Sequence, residues 1–255
     1  MVNEIFEKLS ALPQVEAIAL GGSRANGVFD EKSDYDVYVY VTDNIDNGVR
    51  ENILAPYCSQ MEIGNHYWEF EDNIILKDGV PMDIIYRPMD KFDKFISYTV
   101  FEHHANHGYT TCFWHNIITS QIVYDQSGKY AEIKKKFTVP YPEELRQNII
   151  DLNMKMLSGI LPSFDKQIKK AIDRNDFVSV NHRIAAFVAS YFDVIFAVNR
   201  LTHPGEKRLV QICKERCEIL PKDFEENLDK LLKEKPTEKI MEVIADMVKN
   251  LKEII

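Results

Sequence analysis

Gly21-Gly22-Ser23-Arg24-Ala25-Asn26-Gly27 is followed, after a short polar stretch, by Ser33-Asp34-Tyr35-Asp36-Val37-Tyr38-Val39-Tyr40-Val41. A glycine-rich turn thus leads into an apolar, β-prone run that opens with two aspartates one residue apart. Strand side chains alternate between faces, so Asp34 and Asp36 point to the same side. Carboxylates set side by side repel each other, and a cation between them relieves that repulsion. Ahead of them, Gly21, Gly22 and Ser23 offer backbone N–H groups of the kind that suit phosphate oxygens. A phosphate turn beside a divalent-cation site points to nucleotide chemistry. The bland alternative is a tight turn before a strand whose aspartates face water. It has to excuse aspartate and glycine, both poor strand residues.

A third acidic group stands in Val80-Pro81-Met82-Asp83-Ile84-Ile85-Tyr86, where Asp83 is the only charge in a β-prone stretch. Gly-Gly-Ser, then Ser-Asp-x-Asp, then a later strand aspartate resembles the polymerase-β-like nucleotidyltransferase superfamily over roughly residues 1–90. The resemblance implies that Asp34, Asp36 and Asp83 are a metal-binding triad and that Ser23 contacts the terminal phosphates of a nucleotide. It also implies that the Asp83 strand lies beside the Asp34–Asp36 strand. Beyond the motif, layout and length are similar to small bacterial members with a helical C-terminal domain, such as lincosamide and aminoglycoside nucleotidyltransferases. Asn199-Arg200-Leu201-Thr202-His203-Pro204-Gly205-Glu206-Lys207-Arg208 resembles uncharacterised bacterial members of the same superfamily.

The fold expected is α+β: a small mixed β-sheet nucleotidyltransferase domain over 1–130, then an all-helical bundle over 140–255. A chain of 255 residues lies where single cores begin to divide. Residues 4–12 read as a helix ended by Pro13, Val15–Leu20 as the first strand, and Arg24–Val28 as the start of a helix. Tyr35–Val41 is the second strand, and Asn47-Gly48 and Pro56 bracket a helix-like segment. Tyr67–Leu76 alternates, and Asp78-Gly79 turns it back into Val80–Tyr86 as a hairpin. From Pro88 the pattern is helical: Met89–His104, Cys112–Thr119 and a short helix near Tyr130. Beyond Pro142, Leu145, Ile149, Leu152, Met156 and Ile160 form one apolar stripe, and Ile240, Val243, Ile244, Met247, Leu251 and Ile254 another. Successive amphipathic helices of this kind read as a bundle.

Asn181–Arg200 is apolar around most of its circumference and is the expected bundle core. His182, Ala186, Ala189, Asp193, Ala197 and Arg200 fall along one narrow stripe of it. Small residues between polar ones suit a helix lining a cleft, with Asp193 a catalytic candidate for positioning or deprotonating an acceptor. A buried polar network between helices fits the same stripe. Arg24 joins the phosphate turn as a binding candidate, and Lys207 could neutralise triphosphate charge from the Pro204-Gly205 reversal. Exposed cations opening the next helix read the same way. His103 and His107, four apart, with His104 and His115, invite a zinc reading, but no cysteine or carboxylate completes a recognised spacing. Tyr67-Trp68 offers a base-stacking pair or, on a strand, core aromatics.

Composition narrows the partners. Net charge is −9, with 45% apolar and 28% charged residues, and Lys134-Lys135-Lys136 is the only dense basic run. A grip on long RNA or DNA calls for a basic stripe, so a small, cationic acceptor is favoured over nucleic acid. No segment approaches the ~18 consecutive apolar residues that span a bilayer. Met1-Val2-Asn3-Glu4 lacks the basic start of a signal peptide, and four scattered cysteines suit a reduced cytoplasm.

The function expected is Mg²⁺-dependent transfer of a nucleoside monophosphate, AMP first, from an NTP (ATP favoured) to a hydroxyl of a small, antibiotic-like acceptor. Two Mg²⁺ ions would sit on Asp34, Asp36 and Asp83; if only one is bound there, Asp83 is also placed to take the acceptor proton. The alternatives are nucleotidyl transfer to a protein or tRNA, and a non-catalytic nucleotide-binding or antitoxin-type partner protein. Oligomeric state stays open, a homodimer included.

Overall fold

The computed structural model describes residues 1–25 and 33–255, apart from the side chain of Ser23. The chain forms two compact units: Met1–Ser97 with Asn116–Val139, and Tyr98–His115 with Pro140–Ile255. The last passage from one unit to the other falls between 139 and 140. The segment 98–115, expected in the first domain, belongs to the second unit.

The first unit is a mixed sheet with helices. Its elements are α1 (Val2–Ser10), β1 (Val15–Leu20), α2 (Gly22–Ala25), β2 (Tyr35–Val41), α3 (Asn47–Leu54), β3 (Cys58–Asn65), β4 (Glu71–Leu76), β5 (Pro81–Pro88), most of α4 (Met89–Val100), the end of α5 (Cys112–Thr119), β6 (Gln121–Asp125) and α6 (Lys129–Phe137). The six strands run in the order β3-β4-β5-β2-β1-β6. β2 and β5 pair in parallel, and the other neighbours are antiparallel. The β5–β2 neighbourhood is the one that the superfamily resemblance implies.

One sheet face carries Val37, Val39, Ile74, Met82 and Ile84 onto Ile5, Phe6 and Leu9 of α1 and Ile45 and Leu54 around α3. The same face holds a fully buried ion pair, Arg50–Asp72. Arg50 also donates to the Ile45 carbonyl (3.1 Å) and to Asn47 (2.5 Å). Asp72 accepts from the Gly64 N–H (2.7 Å) and the Tyr86 hydroxyl (2.9 Å). The buried charges are therefore paired and hydrogen-bonded, which is what burial demands of them.

Two strands escaped the sequence reading. β3 alternates only over Gln60-Met61-Glu62-Ile63, between Ser59 and Gly64-Asn65, and β6 is a short edge strand with mostly half-exposed residues. The expected strand over Tyr67–Leu76 begins only at Glu71. Tyr67 and Trp68 lie in the preceding connection, 77% and 90% exposed, and are neither strand nor core. The helix read at Arg24–Val28 is described as far as Ala25; Val28 lies outside the described residues.

The second unit is helical: α7 (Glu143–Leu157), α8 (Phe164–Asp173), α9 (Phe177–Val198), α10 (Leu209–Arg216), α11 (Phe224–Lys233) and α12 (Glu238–Lys252). α9 is its axis, buried continuously from Ala189 to Val198, with Phe187, Tyr191, Phe192 and Phe224 packed ring against ring. The stripe on α7 is rotated from the expected one: Ile150, Asn153 and Leu157 are buried, whereas Leu152 and Met156 are only partly so. Among the described residues no helix is long and apolar enough to cross a membrane.

Candidate active site

On the sheet face opposite α1 and α3, the register puts Asp36 directly across from Asp83, and Asp83 directly across from Asn73. Directly paired residues share a face, so these three form one row across β2, β5 and β4. Asp34, just before β2, joins them. Carboxylate oxygens of Asp34, Asp36 and Asp83 lie within 4.8 Å of one another, and all three residues are half-buried. Among the described residues this is the one group of three or more His, Cys, Asp or Glu side chains so placed. Three like charges converging on accessible oxygens fit a hard divalent cation such as Mg²⁺, which takes oxygen ligands and keeps several waters.

The turn ahead of β2 is shaped by that cluster. Gly22 has φ +63, and a Cβ on it would overlap a carboxylate oxygen of Asp36. Only glycine meets both the left-handed backbone and the close approach. The Gly21 N–H, expected to be offered to phosphate, instead donates to the Asp36 carbonyl (2.8 Å). That amide is used to seat the turn on β2. Arg24, also expected at the phosphates, donates through Nε to the carbonyls of Ser33 (2.9 Å) and Asp34 (3.1 Å), and its guanidinium stacks over Tyr35 (3.8 Å). It fixes the lead-in that carries Asp34. The hydroxyl of Ser23 lies outside the described residues.

Charge on this face is felt by its neighbours. Burial, and then the negative charge of Asp83, push the Glu71 carboxyl up, against a hydrogen bond from Asn73. Burial pushes the Tyr38 phenol up to about 12, with Asp36 adding and Arg87 opposing. Arg87 is itself held by Glu69, by Asn116 (3.2 Å) and under the Tyr38 ring (4.3 Å).

The candidates in the second unit have other surroundings. Asp193 is 1% exposed. Its carboxylate accepts from the Thr110 N–H (3.1 Å) and hydroxyl (2.6 Å) and from Asn153 (3.3 Å). Burial raises its pKa to about 7 despite those bonds. The small residues of its stripe make room for the chain's own backbone. Gly108 (φ +84) lies so close to Ala189 that a Cβ on it would stand 2.8 Å from the alanine's. This corrects the open-cleft reading of the stripe: Ala189, Asp193 and Ala197 are buried, and only the ends, His182 and Arg200, are exposed. Lys207 is exposed in the segment before α10.

The histidines are dispersed. α4 ends at Val100, and His103 has φ +59, so His103 and His107 share no helix face. His103 lies 3.2 Å from Glu144, His104 stacks on Tyr98, and His115 meets the Thr202 hydroxyl (2.7 Å).

Asn73, Asn65 and Glu71 went unnoticed in the sequence. A signal for Asn73 existed: Asn73 and Asp83 are each five residues from Asp78, so a hairpin centred there sets them opposite one another.

Residues 2–106 match the family described as a nucleotidyltransferase domain, and residues 110–209 match a domain of unknown function, DUF4037. No curated protein sequence matches the chain. Among solved structures, the chain is similar to a nucleotidyltransferase-like protein from Exiguobacterium sibiricum (TM-score 0.45, 10% identity, 99% of this chain and 72% of that one). It is also similar to an aminoglycoside 6-adenyltransferase from Bacillus subtilis (0.33, 11%, 99% and 88%). A third is a spectinomycin adenyltransferase from Enterococcus faecialis, solved with ATP and spectinomycin (0.32, 12%, 98% and 98%).

Proposed function

We propose, of a chain whose residues 2–106 match the nucleotidyltransferase domain family, that it moves a nucleoside monophosphate from an NTP to a hydroxyl of a small acceptor. The observation that carries this reading is the meeting of Asp34, Asp36 and Asp83 on one sheet face. Asp34 and Asp36 would hold a cation at the terminal phosphates, and together with Asp83 a second. Divalent cations, when bound, supply charge neutralisation at the phosphates and lower the pKa of the attacking hydroxyl.

The residues do the rest. The turn at Gly22 and Ser23 binds the terminal phosphates, and Arg24 keeps Asp34 in place for them. The acceptor oxygen attacks the α-phosphorus, forming the new O–P bond. The bond from that phosphorus to the bridging oxygen breaks, and pyrophosphate leaves with the electron pair. If only one cation is bound, at Asp34 and Asp36, Asp83 is the group placed to receive the acceptor's proton. ATP is the proposed donor and Mg²⁺ the proposed cation. A net charge of −9 and the lack of a basic stripe in the sequence favour a small, cationic, hydroxyl-bearing acceptor such as an aminoglycoside.

The test is pyrophosphate release with Mg²⁺ and each NTP, alone and with a panel of aminoglycosides and lincosamides. An Asp34→Ala, Asp36→Ala double variant should lose about 10²–10³ in kcat or more, the range for removing preorganised electrostatic groups. Equal activity in that variant would refute the assignment.

A further inference from the structure

Asp83 is gripped by a chain of side-chain amides whose direction is fixed from its far end. The Tyr67 N–H, a backbone group that can only donate, reaches Asn65 Oδ1 (3.3 Å). Asn65 must then turn its NH₂ outward, and that group donates to Asn73 Oδ1. Asn73 must in turn direct its own NH₂ onward, and it donates to Asp83 Oδ1 (2.7 Å). Amide oxygen and nitrogen are assigned from hydrogen-bond networks, and here a single unambiguous donor settles the sense of both amides.

The register of β3 makes this possible. Glu62 pairs with Asn73, and regular continuation would set Asn65 across from Phe70, on the opposite face. The register slips between Glu62 and Asn65, so that Asn65 pairs with Glu71 and its amide reaches Asn73. Irregularities of this kind re-aim side chains beside active sites.

We propose that Asn73, oriented by Asn65, is a positioning residue for Asp83. It occupies one carboxylate oxygen as a hydrogen-bond donor, so that the other is presented toward Asp34 and Asp36 for a divalent cation. The inference rests on the metal-dependent reading above and goes beyond it by naming what sets the geometry of the third ligand. Groups hydrogen-bonded to a metal-binding carboxylate fix its orientation, and losing one typically costs 10–100-fold in metal affinity.

Asn65 does not touch Asp83, which gives the proposal its sharpest test. An ionised aspartate at position 65 cannot donate to Asn73. The Asn73 amide would then turn its NH₂ to position 65 and its oxygen to Asp83, where it repels the carboxylate. The full chain, as wild type, Asn73→Ala, Asn65→Asp, the double variant of these two, and Asp34→Ala/Asp36→Ala, is titrated with Mn²⁺ by calorimetry, with thermal melting to confirm folding. Asn73→Ala should weaken Mn²⁺ binding by about tenfold, and Asn65→Asp should weaken it as well. Because Asn65 reaches Asp83 only through Asn73, Asn65→Asp should cause no further loss in the Asn73→Ala background, where its added negative charge can only favour the cation.

Wild-type Mn²⁺ affinity in Asn73→Ala, or independent additive losses in the double variant, overturns the proposal while leaving the metal site standing. Identical titrations of the wild type and Asp34→Ala/Asp36→Ala overturn the metal reading and the proposal together. Should Asn73→Ala not fold, Asn65→Asp alone decides: unchanged affinity there refutes the relay.

Discussion

Asp34, Asp36 and Asp83 stand half-buried on one face of the sheet with their oxygens drawn together, whereas Asp193 in the helical unit is sealed among donors of its own chain. Asp72, on the reverse of the same sheet as Asp83, resembles Asp193 rather than its neighbour. It is fully buried and taken up by Arg50, Gly64 and Tyr86. Two of these three environments therefore close upon themselves, and one gathers like charges where a ligand has access. Closed networks serve the fold, because a buried polar group must find partners within the chain. Convergent carboxylates repel one another, and a cation bound between them would relieve that repulsion.

The comparison breaks most visibly at Arg50. Its removal leaves the Asp72 carboxylate buried and uncompensated, so Arg50→Ala should destabilise the chain by about 3–5 kcal/mol. Chemical denaturation measures the loss. Folded Arg50→Ala should still release pyrophosphate, since Asp72 and Asp83 point to opposite faces. A variant of wild-type stability would show that the closed network is not what holds this face.

Asp193 sharpens the contrast through pH. Its carboxyl titrates near 3.8 when unfolded and at about 7 when folded. Between those values the folded state keeps a proton that the unfolded state has released, so this group makes stability fall as pH rises, by up to about 1.4 kcal/mol per unit. Above pH 7 the cost is constant. His115 and His203, lowered to about 4 and about 3 chiefly by burial, act the other way and remove stability as pH falls below 6.5. Both histidines are common to wild type and Asp193→Asn, so the difference between the two proteins isolates Asp193. Asp193→Asn should gain on the wild type steadily from pH 4 to 7, with kcat little changed. A fall of about 10²–10⁴ in kcat instead would restore Asp193 as an acid–base group.

How much of this was legible in the sequence follows from how local each feature is. The Asp34–Asp36 row and the Asp78-Gly79 hairpin are short-range patterns, and the residues carry them openly. β3 and β6 are edge strands that give only short signals, four alternating residues in Gln60–Ile63 and a five-residue, half-exposed run in Gln121–Asp125. The stripe on α9 was visible, yet its meaning was not. Alanines spaced along a helix signal close approach without saying of what, and the answer, Gly108, lies some eighty residues earlier in the chain. The Asn65–Asn73–Asp83 relay depends on a register slip in β3 that no residue pattern announces.

That approach of loop to helix yields the smallest effect and the cleanest dissection. Gly108 donates its N–H to Asn153 (3.1 Å) in the left-handed region, and an added Cβ would meet Ala189 at 2.8 Å from its Cβ and 3.0 Å from its carbonyl carbon. Gly108→Ala should therefore cost about 1–3 kcal/mol from overpacking together with backbone strain. The two causes separate in a double variant. Ala189→Gly removes the methyl group but leaves the carbonyl carbon and φ unchanged. Gly108→Ala/Ala189→Gly should then recover only the methyl contact's share of the loss, read as a non-additive coupling in thermal or denaturant unfolding. Full additivity would mean that the Ala189 methyl does not limit this approach, and the stripe of small residues on α9 would again lack an occupant.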